Sequence, residues 1–314
     1  PPLRLAIVGL RFGAAICRDL AAAPGPVRLA GVCDLDRQRA EHLGGEHGVR
    51  AYADLDAVLA DPGIDAIGLF TPPEGRAGLV SRCIRAGKDV MTTKPFERDP
   101  AAAAAVLAEA EHLGRVVHTN SPAPVPDGDL AVIAEWRERH DLGDLVALRG
   151  EIWASYREFA DGSWYDDPVR CPVAPLYRLG IYLLNDLLQL GGTVQRIHVE
   201  TSRLYTGRPT ADQAEALLRF ANGALGSIFA SFCVEDGDHY RNALTLRFAR
   251  GTISRNVGAD RGLARSELAL VQGGAGGRTR VERVDAAHLG GDYRWDAFAD
   301  AVHHRTPLRR AAVT

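Results

Sequence analysis

The chain contains little of what marks several specialised classes of protein. Its five cysteines are odd in number and scattered, and no C-x-x-C pair indicates a zinc site or a redox dithiol. The sequence has no run of 18 apolar residues and no basic-then-apolar leader. Neither sign of charge is in excess, since 37 Lys and Arg stand against 40 Asp and Glu. We therefore expect a cytoplasmic protein with reduced thiols and no metal centre, no nucleic-acid partner and no membrane contact.

The composition that remains suits a globular protein of two domains. With 314 residues, of which 46% are hydrophobic and 25% charged, the chain is too long for one ordinary core. Residues 1–121 alternate short apolar strands with helical patterns, which predicts a parallel, doubly wound α/β sheet. After the proline-rich stretch SPAPVPDGD, residues 122–314 predict an α+β domain with a large, mostly antiparallel open sheet.

An incomplete glycine motif follows the first predicted strand. In VGLRFGAA, Gly9 and Ala14 fit the first and third places of G-x-G-x-x-G/A, but Arg11 stands at the middle glycine and Gly13 is one residue out of phase. Asp34 ends the next strand, 25 residues after Gly9, where an acidic residue meets the adenosine ribose. We predict a dinucleotide site formed by Gly9, Arg11, Phe12, Gly13, Ala14 and Asp34.

Asp34 also bears on which dinucleotide binds. A carboxylate accepts hydrogen bonds from the ribose hydroxyls and repels a 2′-phosphate, which favours NAD over NADP. Arg37, or Arg11, could instead pair with that phosphate. We predict NAD and leave NADP open.

A lysine follows the fifth predicted strand, in DVMTTKPFERD. Ligands of open α/β sheets bind beyond the carboxyl ends of the strands, which is where Lys94-Pro95 falls. This position distinguishes Lys94 from an ordinary solvated lysine.

These motifs together resemble the Gfo/Idh/MocA oxidoreductases, the family of glucose-fructose oxidoreductase and inositol dehydrogenase. The resemblance is carried by VGLRFGAA, Asp34, FTPP, AGKDVMTTKPF and the RLGIYLLNDLLQLGG helix, in the family's order. AGKDVMTTKPF is similar to the family's AGKHVxxEKP, with Thr93 in place of the glutamate. The resemblance implies a Rossmann NAD(P)-binding domain at 1–121, a substrate-binding and oligomerisation domain at 122–314, and a sugar, cyclitol or related polyol as substrate.

The resemblance also implies roles for residues in the loops. The lysine that matches Lys94 binds the reacting hydroxyl and the nicotinamide side of the cofactor. Thr71 and Pro72 match the loop that lines the nicotinamide ribose, and Asn120 matches an asparagine that faces the site. With Pro95, these residues complete the predicted cofactor contacts.

The family's second motif, D-x-G-x-H-x-x-D, appears here as RLGIYLLND. Gly180 is kept, Arg178 replaces the first aspartate, Tyr182 stands at the histidine and Asn185 at the last aspartate. The glucose-fructose oxidoreductase branch also has G-I-Y, with the tyrosine in the proton-transfer role. We predict the catalytic pair Lys94 and Tyr182, and substrate contacts from Lys94, Arg178, Tyr182, Asn185, Asp186 and Trp164.

The residues themselves are consistent with that pair. Hydride transfer from an alcohol requires the hydroxyl to lose its proton, so the site needs a group that exchanges protons. A tyrosine, whose ordinary pKa is about 10, needs help near neutrality. An ammonium such as that of Lys94 favours the phenolate and stabilises alkoxide charge.

Several alternatives stay open. Tyr182 could be a buried aromatic, Asp186 could merely cap its helix, and Trp164 could bind a sugar ring or cover the sheet. The protein could be a redox-neutral enzyme that recycles a tightly bound cofactor, or a non-catalytic nucleotide- or sugar-binding regulator. The outer face of the second sheet is expected to expose Leu217, Ile228 and Phe232, which predicts a homodimer or homotetramer through that sheet.

Overall fold

A computed structural model describes residues 1–22, 24–119, 128–154, 158–237, 240–257, 265–273, 277, 279–287 and 293–306. These residues form two compact units. One unit contains the described residues up to 119 together with 293–306, and the other contains those from 128 to 287.

The first unit is an α/β unit whose strands and helices alternate. Its strands are β1 (Leu3–Val8), β2 (Val27–Cys33), β3 (Arg50–Tyr52), β4 (Ala66–Leu69), β5 (Asp89–Thr92) and β6 (Val117–Thr119). Its helices, in the same stretch, are α1 (Leu10–Ala22), α2 (Arg37–His47), α3 (Leu55–Ala60), α4 (Arg76–Arg85) and α5 (Pro100–His112). The strands pair in parallel in the order β3-β2-β1-β4-β5-β6, which confirms the predicted doubly wound sheet.

Aspartates start three of these helices. The Asp99 carboxylate accepts a hydrogen bond from the Ala101 amide at 2.8 Å, and Pro100 occupies the first turn of α5. Asp36 and Asp54 cap α2 and α3 in the same way. The local sequence thus fixes where these helices begin.

The second unit is a mixed sheet with helices on one face. Its elements are α6 (Asp129–Arg139), β7 (Leu145–Ala154), α7 (Ile181–Gly191), β8 (Val194–Ser202), β9 (Gln213–Phe220), β10 (Leu225–Ser231), β11 (Tyr240–Phe248), β12 (Gly251–Arg255), β13 (Arg265–Gly273) and β14 (Thr279–Ala287). The strand order is β14-β13-β12-β11-β7-β10-β9-β8. The pair of β7 and β10 is parallel and the other neighbouring strands are antiparallel, as the predicted, mostly antiparallel sheet requires.

The two faces of this sheet follow the alternation of its strands. In β9, Ala216 and Leu218 are buried beneath the helices, whereas Leu217 is 54% exposed on the other face. The expectation that Ile228 and Phe232 are also exposed was wrong, because both are buried in the core. Side chains alternate between the two faces along β10, and Ile228 lies on the face opposite to that of the exposed Leu225. Phe232 lies just beyond the end of the strand.

The cysteines are unpaired thiols in the interior. Cys17, Cys33, Cys83 and Cys171 are buried and Cys233 is half-buried. Burial raises the pKa of Cys17 and Cys33 to about 11 and that of Cys83 to about 12. Such thiols stay protonated near neutrality and act as small apolar side chains, as the sequence predicted. Within the described ranges, the helices are too short or too polar to cross a bilayer.

A final helix, α8 (Trp295–His304), packs on the sheet of the first unit, although the predicted boundary assigned it to the second domain. Its Phe298 is fully buried, with its ring centroid 6.2 Å from that of His118 in β6. Burial, and then the positive charge of Arg294, lower the pKa of His118 to about 4.

The unfolding free energy is expected to fall below pH 6.5, in part because of His118. The unfolded imidazole titrates near 6.5, whereas the folded one stays neutral down to about pH 4. Between these values the unfolded state binds more protons, so acid destabilises the fold, by up to roughly 3 kcal/mol. Urea unfolding at pH 7 and pH 4.5 checks this, since wild type is expected to lose more stability than a His118→Leu variant. Equal losses in both proteins would contradict the assignment.

Candidate functional site

The residues predicted to hold the cofactor lie at one edge of the first sheet. Val8, at the end of β1, pairs with Cys33 and Leu69, and Leu69 pairs with Thr92. Four strands therefore end at the same level, and the residues that follow them line one edge. These residues are Gly9, Asp34, Thr71, Pro72, Lys94 and Pro95; Asn120 lies outside the described residues.

The turn after β1 can be formed only by glycine. Gly9 has a φ of +90°, and a Cβ there would stand 2.8 Å from the backbone carbon and oxygen of Phe70. Both the left-handed conformation and the close approach to the β4 loop exclude a larger residue. The prediction that Gly9 makes the tight turn of the fingerprint matches this geometry.

The first turn of α1 presents a helix N-terminus at this edge. The helix begins at Leu10 and has no acidic residue in its first turn. Arg11 is exposed, and Phe12 is 51% exposed with its ring 5.9 Å from that of Phe70. Helix N-termini bind phosphate groups through free backbone N–H groups and the helix dipole, so this turn fits a pyrophosphate.

Gly13 has the packing role of the third fingerprint glycine. A Cβ at Gly13 would stand 2.7 Å from Cγ2 of Ile7, so the helix approaches β1 most closely there. Ala14, which occupies the third place by spacing, is half-buried beside the same core. The glycine that looked out of phase is thus the one that this helix requires.

The Asp34 carboxylate is already engaged by its own chain. It accepts hydrogen bonds from the backbone N–H of Leu10 at 2.6 Å and of Asp36 at 2.8 Å. The Arg39 guanidinium pairs with it at 3.2 Å. Arg37, which the sequence suggested as a phosphate partner, instead pairs with Glu41 at 2.8 Å on the surface. Arg39, which sequence reasoning missed, is therefore the basic side chain that accompanies Asp34.

The loop after β4 offers a hydroxyl group. Thr71 Oγ1 is buried and has no hydrogen-bond partner in the part of the chain that the structure describes. A buried hydroxyl without a partner is costly unless a ligand or water satisfies it. The Gly9 turn, the N-terminus of α1 and this hydroxyl together form a set of groups that suits the binding of a dinucleotide.

Lys94 is one of two lysines in the chain, whose other 35 basic residues are arginines. The other lysine, Lys88, is buried, and its Nζ donates to the carbonyls of Asp61 and Ile64 at 2.8 and 2.7 Å. Lys94 is half-buried and precedes Pro95 through a cis peptide bond. At this position the side chain is a compact ammonium, which binds an oxygen differently from the planar guanidinium that predominates among the basic residues of this chain.

Arg76, at the start of α4, connects the two loops of this edge. Its guanidinium donates to the carbonyls of Thr93, Phe96, Pro95 and Thr71, the first two at 2.6 and 3.2 Å. The side chain is buried, with 1% of the residue exposed. The sequence offered only an arginine near a TPP turn, which is too weak a signal to reveal these contacts.

In the second unit, Tyr182 lies in the first turn of α7, half-buried against the core. Tyr240 on β11 packs against the same core and interacts electrostatically with Tyr182. Burial, and then the Tyr182 phenol, raise the pKa of Tyr240 well above its usual value, so Tyr240 stays protonated. The second unit thus contains a second, neutral phenol that interacts electrostatically with the predicted proton-transfer residue.

Arg178 is held by its own unit. Its guanidinium forms two contacts of 2.6 Å with Glu158 and lies 3.6 Å from the ring centroid of Tyr165 and 4.5 Å from that of Phe232. A substrate contact from Arg178 stays a prediction, but these contacts already anchor the segment before Trp164. The Trp164 ring lies 4.4 Å from that of Tyr165, centroid to centroid.

The polar residues that follow Tyr182 are also buried. Asn185 is 1% exposed, and Asp186 pairs with the buried Arg255 at 2.8 Å. Arg255 also contacts Asp129 at 3.5 Å, and only 1% of the residue is exposed. Burial opposes the charge of Arg255, but the two aspartates raise its pKa overall. Asp186 therefore belongs to an ion network that stabilises the core, and its substrate contact stays a prediction.

The described residues contain no cluster of His, Cys, Asp and Glu suited to a metal ion. The Asp236 carboxylate accepts a hydrogen bond from Trp153 Nε1 at 3.3 Å. Residues 238 and 239, which follow it closely in the chain, lie outside the described residues.

Two family models match the chain. One, described as the oxidoreductase family with an NAD-binding Rossmann fold, matches residues 3–121, and the GFO/IDH/MocA C-terminal domain matches residues 131–254. An uncharacterized oxidoreductase of Schizosaccharomyces pombe is 32% identical over 163 residues, which are 51% of this chain and 42% of that protein. D-apiose dehydrogenase of Rhizobium rhizogenes is 24% identical over 212 residues, 67% of this chain and 60% of that protein. The chain thus spans about two-fifths to three-fifths of these curated relatives.

Among solved structures, levoglucosan dehydrogenase in complex with NADH has the same fold. The TM-score is 0.78 at 16% sequence identity, over 99% of this chain and 92% of the other. At that identity the likeness establishes the architecture and says nothing of the substrate.

Proposed function

Because the chain belongs to the Gfo/Idh/MocA oxidoreductase family, we propose that it transfers hydride between NAD and a secondary alcohol, or the corresponding ketone, of a sugar, cyclitol or related polyol. The observation that carries the proposal is Lys94, a rare lysine at the edge of the sheet where the Gly9 turn and the Thr71 hydroxyl also lie.

Residues of the first unit would hold the dinucleotide. The backbone N–H groups of the first turn of α1 bind the pyrophosphate, and the charge of Arg11 favours the same anion. Asp34 accepts from the adenosine ribose, and Arg39 beside it sets whether a 2′-phosphate is tolerated. The Thr71 hydroxyl and the Pro72 and Pro95 backbones border the other end of the cofactor. We propose NAD, since a carboxylate at position 34 repels the additional phosphate.

The proton is handled by the chain's own side chains. The bound nicotinamide supplies the hydride acceptor or donor. The Lys94 ammonium donates a hydrogen bond to the reacting oxygen and stabilises the negative charge that develops on it. Tyr182 takes the hydroxyl proton in the direction of oxidation and returns it in the direction of reduction. Asn185, Asp186, Arg178 and Trp164 are proposed to orient the remaining hydroxyl groups.

A screen of NAD⁺ reduction at 340 nm with cyclic polyols, aldoses and their oxidised forms tests the proposal. We expect turnover with at least one member of the panel and saturable binding of NADH. Binding without turnover would instead favour a nucleotide-binding regulator, and nucleotide that copurifies without net reduction would favour a redox-neutral enzyme.

We also propose that the exposed face of the second sheet joins copies of the chain. Leu217 and Leu225 are 54% and 61% exposed on adjacent strands, and Val146 on β7 is 54% exposed. Exposed apolar side chains on a sheet face, here interspersed with charged ones such as Glu215 and Arg149, are typical of a subunit interface. Light scattering after size exclusion is expected to give a dimer or tetramer, and charged substitutions at Leu217 and Leu225 are expected to give a monomer. A wild-type monomer would contradict the proposal.

A further inference from the structure

Arg76, a buried cation in the first unit, has no role in the proposed binding and proton-transfer steps. Arg76 is 1% exposed, and its guanidinium is surrounded by backbone carbonyls. Ordering and burying an arginine is expensive unless its donors are satisfied. Here the donors reach Thr71, Thr93, Pro95 and Phe96, which belong to two loops that follow different strands.

Two of the carbonyls that accept from Arg76 lie next to Lys94 in the chain. Thr93 and Pro95 flank Lys94 on both sides, so Arg76 fixes the backbone on either side of the residue. The carbonyl of Thr71 belongs to the residue whose buried hydroxyl has no partner among the described residues. One guanidinium thus sets the distance between the loop that bears Lys94 and the loop that bears Thr71.

The side chain of Glu97, in the loop after β5, also attaches this loop to α4. Its carboxylate accepts from the N–H of Ala77, next to Arg76 in α4, at 2.9 Å. It also accepts from the N–H of Arg98 at 2.6 Å. The loop after β5 is therefore attached to α4 twice, by Arg76 and by Glu97.

Only arginine offers this set of contacts. Its planar guanidinium presents five donors in a fixed fork, whereas lysine presents three donors from one nitrogen. A lysine at position 76 keeps the charge but cannot reach carbonyls of both loops at once. Arginine and lysine are therefore not interchangeable here, and the difference provides a test.

We propose that Arg76 is a positioning residue, which holds the Thr71 loop and the Lys94 loop at the spacing needed for the nicotinamide half of the dinucleotide. This inference rests on the proposed function, which assigns these two loops to the nicotinamide half of the cofactor. It predicts an effect restricted to the nicotinamide end, because the carbonyls that accept from Arg76 belong to the loops after β4 and β5, whereas the residues proposed for the adenosine and pyrophosphate lie after β1, in α1 and after β2.

Binding of two probes to purified protein tests this prediction. NADH contains the nicotinamide, whereas ADP-ribose ends at the second ribose. Arg76→Met and Arg76→Lys are expected to weaken NADH binding by about 10- to 100-fold, since loops that are no longer held in their bound arrangement must be ordered when the ligand binds. Binding of ADP-ribose is expected to change by less than about threefold. Arg82→Met, on the exposed face of α4 where Arg82 pairs with Asp56 at 2.6 Å, is the matched control and is expected to alter neither.

The outcomes separate the inference from the proposed function. Equal weakening of both probes, or no weakening of NADH, in a folded Arg76 variant would overturn the inference. A wild-type protein that binds neither probe would overturn the proposed function and the inference together. Because the readout is binding, the absence of a known substrate does not affect the test.

A measurement on wild-type protein covers the case in which both variants fail to fold. Hydrogen exchange is expected to show NADH protecting residues 71–77 and 93–99 together, and ADP-ribose protecting neither. Protection of one segment without the other would contradict a shared anchor.

Discussion

Replacement of Lys94 by alanine is expected to lower kcat by about 10² to 10⁴, with NADH affinity largely retained. In the proposed mechanism, the loss follows because the developing alkoxide would no longer face an ammonium, whereas the Gly9 turn and the loop backbones proposed to hold the dinucleotide stay in place. Steady-state kinetics with a substrate from the polyol panel, combined with NADH titration by fluorescence, measures both quantities.

A Lys94→Arg variant is the matched control for charge. It keeps the positive charge but spreads it over a larger planar group, so we expect it to recover less than about a tenth of the lost rate. Near-wild-type kcat in Lys94→Ala, with a verified substrate, would remove Lys94 from the mechanism. Full recovery in Lys94→Arg would mean that charge alone is required.

Replacement of Tyr182 by phenylalanine is expected to lower kcat by a similar factor, about 10² to 10⁴, without changing NADH binding. The substitution removes the hydroxyl that we propose exchanges the proton, and it keeps the ring that packs against the core. The same kinetic and titration experiments apply, and a melting temperature close to wild type confirms that the packing is intact.

Tyr240→Phe tests which of the two phenols, Tyr182 or Tyr240, transfers the proton. The raised pKa of Tyr240 keeps it protonated, so its loss is expected to change kcat by less than about tenfold. A larger loss in Tyr240→Phe than in Tyr182→Phe would transfer the proton-transfer role to Tyr240.

The sequence predicted the first sheet well because its strands are continuous apolar runs separated by helical patterns. The missed elements are β3, with three residues, and α3, with six, which are too short to show a period. In the second unit the succession of strands along the chain was predictable, but neither their order in the sheet nor the face of single residues was. A one-residue shift in register exchanges the faces of a strand, which is why Ile228 was assigned to the wrong side.

The site was predictable where a residue's place is set by the end of a strand. Gly9 and Asp34 directly follow their strands, Lys94 comes two residues after the end of β5, and parallel pairing brings those strand ends to one edge. Partners that depend on distant segments could not be predicted. Asp186 meets Arg255 across 69 residues of sequence, and Arg178 meets Glu158 across 20.

Arg76 and Arg39 illustrate the same limit among basic residues. The chain has 37 basic residues, and nothing in the local pattern marks the two that contact functional loops. Arg37 was the nearer candidate to Asp34 by position, yet the turn of α2 directs Arg39 to the carboxylate and Arg37 to Glu41.

The most direct test of the central claim follows a deuterium atom. Wild-type protein is incubated with NAD⁺ and polyols or sugars that carry deuterium on their secondary alcohol carbons, and the NADH that forms is analysed by mass spectrometry. Direct hydride transfer predicts one deuterium in the nicotinamide ring, and Lys94→Ala is expected to show the same label at a far lower rate. A protein that binds NADH yet transfers no deuterium from any member of the panel would contradict an oxidoreductase acting on such alcohols.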